Sequence, residues 1–258
     1  MNVLVSLAVI LFLLMIVIGG RKGARSFWAL FLNFGVLLIA ILIMTNPNAD
    51  PIFITLIACT VISCINLFYI NEVNTTTKTA FISSMITIVV LLLFIVIVTE
   101  QAMIQGFGEE EIEELSAYSL YIGVDFIEIG ASVIIMSTIG AITDAAIAIS
   151  SPMREAFHHK PSISRKELFT FGMGIGKDIL GTSTNTLFFA FFGAYMALLI
   201  WFKDLSYSIG EVFNSKIFSA EMITIFCAGT GVALVIPITA WITAYFLIKT
   251  RDEKQPIK

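Results

Sequence analysis

Charged residues are scarce in this chain, and their scarcity decides its class. Only 13% of the 258 residues are Asp, Glu, Lys or Arg, about half the fraction found in a soluble domain, roughly a quarter. Cysteine is also rare, and Cys59, Cys64 and Cys227 all lie inside apolar runs. We predict that they are buried small hydrophobes rather than disulfide or metal ligands. The two adjacent histidines, His158 and His159, point in different directions on a helix, which disfavours a shared metal.

Long apolar runs make up most of the chain. The chain is 58% hydrophobic, with a mean hydropathy of +0.95, and a spanning helix needs roughly 20 apolar residues. The sequence therefore predicts an all-α polytopic membrane bundle forming a single transmembrane domain over 1–258. The first run has no basic region before it, so we expect a retained span rather than a cleaved signal peptide. The seven predicted spans are about 2–19, 27–44, 52–70, 80–98, 119–142, 177–202 and 222–248.

The basic residues predict the orientation of these spans. Cytoplasmic loops are enriched in lysine and arginine, and alternate loops of this chain hold 12 of its 15 basic residues. This asymmetry predicts an outside N-terminus and a cytoplasmic C-terminus. The 12 residues are Arg21, Lys22, Arg25, Lys78, Arg154, Lys160, Arg165, Lys166, Lys249, Arg251, Lys254 and Lys258.

Acidic residues gather at the predicted outer surface. The segment GEEEIEEL, residues 108–115, is strongly anionic; it either attracts cations to an outer mouth or forms a solvated surface helix. Asp125 and Glu128 follow, three residues apart, and share one helix face. They are candidates for an outer entry, or else carboxylates that simply reach outer water.

A first polar cluster interrupts the fifth predicted span. Asp144 lies 16 residues after Glu128, about 24 Å along a continuous helix, which places it near the inner boundary. Gly140 is the expected break in this long segment. Ionisable residues inside a membrane are costly and are candidates for function. The alternative for Asp144 is a carboxylate in the cytoplasm or a helix cap.

A second polar cluster opens the sixth span in GMGIGKDILGTSTNT, residues 172–186. Asp178, Thr182 and Asn185 are spaced by four and three residues, so they line one helical stripe. The glycines before them predict an unwound lead-in near Gly176. Two glycine-interrupted polar segments are typical of a transporter's binding site. Alternatively, Lys177 reaches the inner headgroups while Asp178 caps the helix.

A nucleotide-binding and an enzymatic interpretation fit the sequence less well. GMGIGKD lacks the glycine and hydroxyl positions of a phosphate-binding loop, since Phe171 and Asp178 occupy them, and no strand precedes it. An intramembrane aspartyl protease needs a Gly-x-Gly-Asp setting, and this chain reads one residue out of register. It stays a weaker alternative. We expect no catalytic residues, no metal, no cofactor and no nucleic-acid partner.

The two polar segments together resemble the YibE/F family of bacterial multi-spanning membrane proteins. The resemblance is specific over about 120–200 and implies a bacterial cytoplasmic-membrane protein of the short form, without the extracytoplasmic domain of longer members. It also implies a hetero-oligomer with a larger related subunit. The matching residues are Gly140, Asp144, Ser150, Ser151, Gly176, Lys177, Asp178, Gly181, Thr182, Asn185, Thr186 and Leu187.

The leading functional hypothesis is a permease subunit that moves an ion or small solute, with possible ion or proton coupling. Its alternative is a structural or assembly subunit whose polar residues only join helices. The predicted ligands are Asp144, Lys177, Asp178, Thr182, Asn185 and Thr186, while Gly140, Gly176 and Gly181 permit close packing or unwinding.

Overall fold

The structure, a computed structural model, describes residues 2–102, 104, 106, 123 and 125–254. All regular structure in these residues is helical, which confirms the all-α prediction. The acidic segment 108–115 and the start of the predicted span 119–142 lie outside the described residues. The helices are α1 (Val3–Met44), α2 (Pro51–Cys64), continued by a π-helical turn (Ile65–Tyr69), α3 (Thr75–Ala102), α4 (Phe126–His159), α5 (Arg165–Ala194), α6 (Met196–Asp204), α7 (Ile209–Asn214) and α8 (Lys216–Lys254).

In the described part of the chain, five helices are long and apolar enough to cross a membrane: α1, α2 with its π-helical turn, α3, α4 and α8. The pair α5 and α6 forms a sixth candidate, bent by 53° at its break. A count of seven requires the two halves of α1 to be separate spans. The number seven and the orientation of the termini stay predictions.

Helix α1 folds back on itself at Gly20. This residue has φ +56° and ψ −136°, outside the helical region. The rings of Phe12 and Phe27 have centroids 4.7 Å apart, whereas 15 residues of straight helix would separate them by about 22 Å. A side chain at Gly23 would overlap the carbonyl oxygen of Met15. The predicted spans 2–19 and 27–44 are therefore the two arms of one helical hairpin.

The turn at Gly20 gives a prediction with a control at the neighbouring residue. Gly20→Ala should destabilise the protein by about 1–3 kcal/mol, because an L side chain rarely adopts a positive φ. Gly19→Ala should be neutral or stabilise by up to about 1 kcal/mol, because Gly19 is helical and an added Cβ there meets nothing within 4 Å. Thermal unfolding of the detergent-purified protein measures both effects. Equal melting temperatures for the two variants would contradict a strained turn at Gly20.

The breaks expected near Gly140 and Gly176 are absent. Helix α4 runs without interruption through Gly140, and α5 runs without interruption from Arg165 to Ala194. The prediction was wrong because glycine costs a helix only about 1 kcal/mol, which packing against neighbours easily offsets. The chain bends instead at Tyr195, where φ is −104° and ψ is 17°.

Helices α4 and α8 form the centre of the bundle. Helix α3 packs on one side of this pair and α5 on the other. Ile142 and Val232 are fully buried where α3, α4 and α8 meet, and Met153 and Ala240 are fully buried where α4, α5 and α8 meet. Helix α5 contacts chiefly α8 and α4, so its remaining side is open.

The start of α5 is fixed to the end of α8. Ser164 caps α5 in a capping box with Glu167. The Arg165 guanidinium lies 4.6 Å from the Tyr245 ring centroid, a cation–π arrangement. Arg251 donates to the carbonyl oxygens of Pro161 and Ile163 at 3.2 and 3.3 Å. These contacts fix the register of α5 along α8, which sets the depth of every residue in α5.

Candidate functional site

The depth of Asp178 follows from the contacts of two buried glycines. A Cβ on Gly172 would lie 3.0 Å from the Ala240 Cβ, and one on Gly176 would overlap the Ile236 side chain. Position 172 is therefore level with 240, and 176 with 236, as expected for antiparallel helices. Two further residues along α5 bring Asp178 level with Leu234 in α8.

The depth of Asp144 follows from an independent contact. A Cβ on Gly231 would lie 2.9 Å from the Ile142 Cδ1, so position 142 of α4 is level with 231 of α8. Helices α4 and α8 run in the same direction, which brings Asp144 level with Ala233. The two carboxyl-bearing positions thus lie within about one helical turn of each other in depth.

This shared level lies at the middle of the apolar helices. Val235 is the midpoint of the predicted span 222–248, and Asp144 lies near the midpoint of α4, which runs from Phe126 to His159. The expectation that Asp144 lies near the inner boundary was wrong. It rested on a span ending at 142, whereas α4 continues far beyond Asp144 to the charged residues that begin at Arg154.

Both aspartates face the same open side of the bundle. Ser151 lies two helical turns after Asp144, and Phe171 lies two turns before Asp178, so each shares the face of its aspartate. One groove between α4 and α5 is lined by Ser151 and Phe171 together with Pro152 and Glu155. The exposed stripes of α4 and α5 therefore border one another on this side.

The predicted ligands of α5 form its exposed face, which we call the polar face. Its members are Gly174, Lys177, Asp178, Gly181, Thr182, Asn185 and Thr186, all exposed. Asp144 is also exposed, on α4. The sequence predicted that Asp178, Thr182 and Asn185 share a stripe, and they do lie on one exposed face; Lys177, which was expected to point elsewhere, is exposed beside them. They line the outside of this chain rather than an enclosed interior.

The polar groups of this face differ in how they are satisfied. Thr182 donates its hydroxyl hydrogen to the Ile179 carbonyl at 2.9 Å, and Thr186 donates to the Thr182 carbonyl at 2.9 Å. Within the part of the chain that the structure describes, the side chains of Asp144, Lys177, Asp178 and Asn185 make no hydrogen bond or ion pair. Four strongly polar groups near mid-helix therefore lack partners there.

The glycines around the site divide into two kinds. Gly172 and Gly176 are buried against other helices, so they serve packing within the chain. At Gly140, Gly174 and Gly181, an added Cβ would meet nothing within 4 Å. Nothing inside the described part of this chain requires glycine at these three open positions.

The proposed outer-entry residues have a local structural role. Asp125 is the N-cap of α4, and its Oδ1 accepts from the amides of Ile127 at 2.8 Å and Glu128 at 3.4 Å. Glu128 lies in the first turn, where a carboxylate stabilises the positive end of the helix dipole. Their role as an outer entry stays a prediction.

Sequence reasoning missed two polar contacts within the apolar bundle. Asn33 in α1 donates its Nδ2 hydrogen to Asn66 Oδ1 at 2.8 Å, and Asn66 lies in the π-helical turn, a type of irregularity common at functional sites. The Tyr195 hydroxyl donates to Glu221 Oε1 at 3.1 Å and so ties the bend after α5 to α8. An asparagine inside each of two apolar runs was the available signal for the first pair.

Comparison with known proteins identifies the family of this chain. No curated protein and no solved structure matches the chain significantly. A family model described as "YibE/F-like protein" matches residues 7–249, nearly the whole chain and every residue of the candidate site. The chain therefore belongs to the YibE/F-like family.

Proposed function

We propose that this membrane protein is a permease subunit that moves an ion or small solute along its polar face. The observation that carries the proposal is the pair of exposed carboxylates, Asp144 and Asp178, at one level near the middle of the apolar helices. A carboxylate held inside a membrane is retained at a cost, and such groups commonly mark ion pathways and proton relays. We assign the protein to the bacterial cytoplasmic membrane.

The chemistry of the face suits a hydrated or partly dehydrated cation. Asp144 and Asp178 supply negative charge or accept a proton, and Lys177 supplies a counter-charge when no cation is bound. Thr182 and Thr186 donate their hydrogens to their own helix, so their hydroxyl oxygens present lone pairs outward. Asn185 offers a carbonyl oxygen about two turns beyond Asp178. In this proposal the path is formed by one carboxylate of α4 and by one carboxylate and three neutral oxygen ligands of α5.

A second chain completes the pathway in this proposal. The polar face lies on the outside of the chain, and lipid tails offer no hydrogen bonds to its charges. The larger related subunit implied by the family resemblance is one candidate for the opposite wall. The proposal assigns no catalytic residue to the chain.

Ion flux through proteoliposomes tests the proposal. Vesicles containing the purified protein and a pH-sensitive dye receive imposed gradients of protons, sodium or potassium. We expect protein-dependent flux of at least one cation and loss of most of that flux in Asp144→Asn, because the amide keeps the shape and loses the charge. Asp204→Asn, at the end of α6, is the matched control and should keep the wild-type flux.

Two outcomes would contradict a transport function. Vesicles with the protein, alone or together with the larger related subunit, that leak no faster than empty vesicles would contradict a pathway built from this chain. Equal flux in wild type and Asp144→Asn would contradict the assigned ligand. In the alternative function, an assembly subunit, Asp144→Asn lowers the yield of the membrane complex and its activity in parallel.

A further inference from the structure

We infer that the polar face of α5 is a self-association surface that binds the same face of a second copy of this chain. The inference does not rest on transport, because it follows from the depth and charge of the face alone. Lys177 and Asp178 are adjacent, exposed and level with the middle of α8. A charge at this depth is costly against lipid, so the stable protein covers it with another polar surface.

The open glycines support a protein, rather than lipid, as the covering partner. Gly174 and Gly181 lie on the polar face with open space around the position of a Cβ. Helix–helix contacts in membranes favour small residues because they let two backbones approach closely. Lipid tails gain nothing from glycine, and alanine would make a better exposed helix. A second helix against this face explains both glycines.

Symmetry gives the face a complementary partner in its own copy. Two copies inserted with the same topology are related by a twofold axis along the membrane normal, which keeps identical residues at identical depth. Lys177 and Asp178 differ in depth by about 1.5 Å. Lys177 of one copy therefore meets Asp178 of the other, and the reverse pair forms simultaneously. The charges flank the axis and cancel in two reciprocal ion pairs.

Charge reversal tests this pairing directly. Lys177→Asp alone and Asp178→Lys alone each place four like charges at the interface, and each should weaken self-association by roughly 100-fold or more. The two variants mixed in one membrane should associate with each other, since one copy then carries two aspartates and the other two lysines. The double variant Lys177→Asp/Asp178→Lys restores reciprocal pairs and should associate like wild type. Differently tagged copies in liposomes give the readout by energy transfer.

Disulfide cross-linking keeps the inference testable if the reversed variants fail to insert. In a background with the three native cysteines replaced by alanine, Gly181→Cys places a thiol on the polar face. Val90→Cys is the matched control, because Val90 is 47% exposed on α3, on the opposite side of the α4–α8 pair. Its depth matches as well: Gly181 is level with Gly231, which packs against Leu91.

The expected result is a covalent dimer at position 181 and none at position 90 under mild oxidation. Equal cross-linking at both positions would mean random collision and would overturn the inference. Reversed single variants that associate as well as wild type would overturn the charge pairing. Cross-linking of position 181 only to a different protein, when that protein is co-expressed, would assign the face to a hetero-partner and also overturn it. Cation flux without dimerisation would leave the transport proposal intact.

Discussion

Replacing Gly176 with alanine should destabilise the protein by about 2 kcal/mol, although alanine is the better helix former. The added Cβ would overlap Ile236 Cγ2 and would lie 3.0 and 3.1 Å from its Cγ1 and Cβ. Ile236 is only 4% exposed, so its side chain has little room to turn, and rotation would leave the 3.1 Å contact with its Cβ unchanged. Overpacking of this kind costs typically 1–3 kcal/mol, and the gain in helix propensity of up to about 1 kcal/mol offsets only part of it.

The matched control for this substitution lies two residues away in the same helix. Gly174→Ala adds the same methyl group where nothing lies within 4 Å, so it should stabilise by up to about 1 kcal/mol. In an Ile236→Ala background, Gly176→Ala should cost little, because the contact is then open. Thermal unfolding in a detergent that separates the subunits measures the wild type, the three single variants and the double variant. A Gly176→Ala variant as stable as Gly174→Ala would contradict the register of α5 on α8.

The apolar runs predicted the helices well because membrane insertion depends on local hydropathy. Most described residues of the predicted spans are helical, including both arms of α1, but Gly123 and Asp125 precede α4 and the span 177–202 is broken at Tyr195. The same local reasoning offered close packing or unwinding at the glycines and could not choose between them. Gly140 and Gly176 looked like helix breaks, yet what decides the role of Gly176 is Ile236, sixty residues further along the chain. The local sequence does not distinguish a glycine that breaks a helix from a glycine that lets another helix pack closely.

The shared helix face of the candidate site was predictable from the sequence, whereas its depth and the direction in which it points were not. The intervals between Asp178, Thr182 and Asn185 fix a common helix face, since helical periodicity is local. The depth of Asp144 was misjudged because it depended on where α4 ends. The direction of the face, outward from this chain rather than inward, depends on which sides of α5 are covered by α4 and α8. Hydropathy carries no information about that choice.

Water access should separate a transport pathway from a dry interface. In a background without native cysteines, Asn185→Cys should react with a charged, membrane-impermeant thiol reagent roughly 100-fold faster than Phe94→Cys, because a thiol in lipid is not ionised and the thiolate is the nucleophile. Both positions are exposed. They also lie at similar depth. Thr184, next to Asn185, packs against Gly229 in α8. Leu91, three residues before Phe94, packs against Gly231 in α8.

The reaction rates of the two thiols distinguish a pathway from an interface, because self-association alone does not bring water to the polar face. A dry, tightly packed dimer would protect position 185 and leave both thiols equally slow, which would contradict the pathway while leaving the interface in place. A fast reaction at 185 that an added permeant cation slows would place that cation on the polar face. Because Asp144 lies near the depth of Asp178 and is exposed on the neighbouring helix α4, Asp144→Asn should abolish this protection without changing the rate in the cation's absence. Hydration and ion binding are then separate properties of one face, the first set by its geometry and the second by its carboxylates.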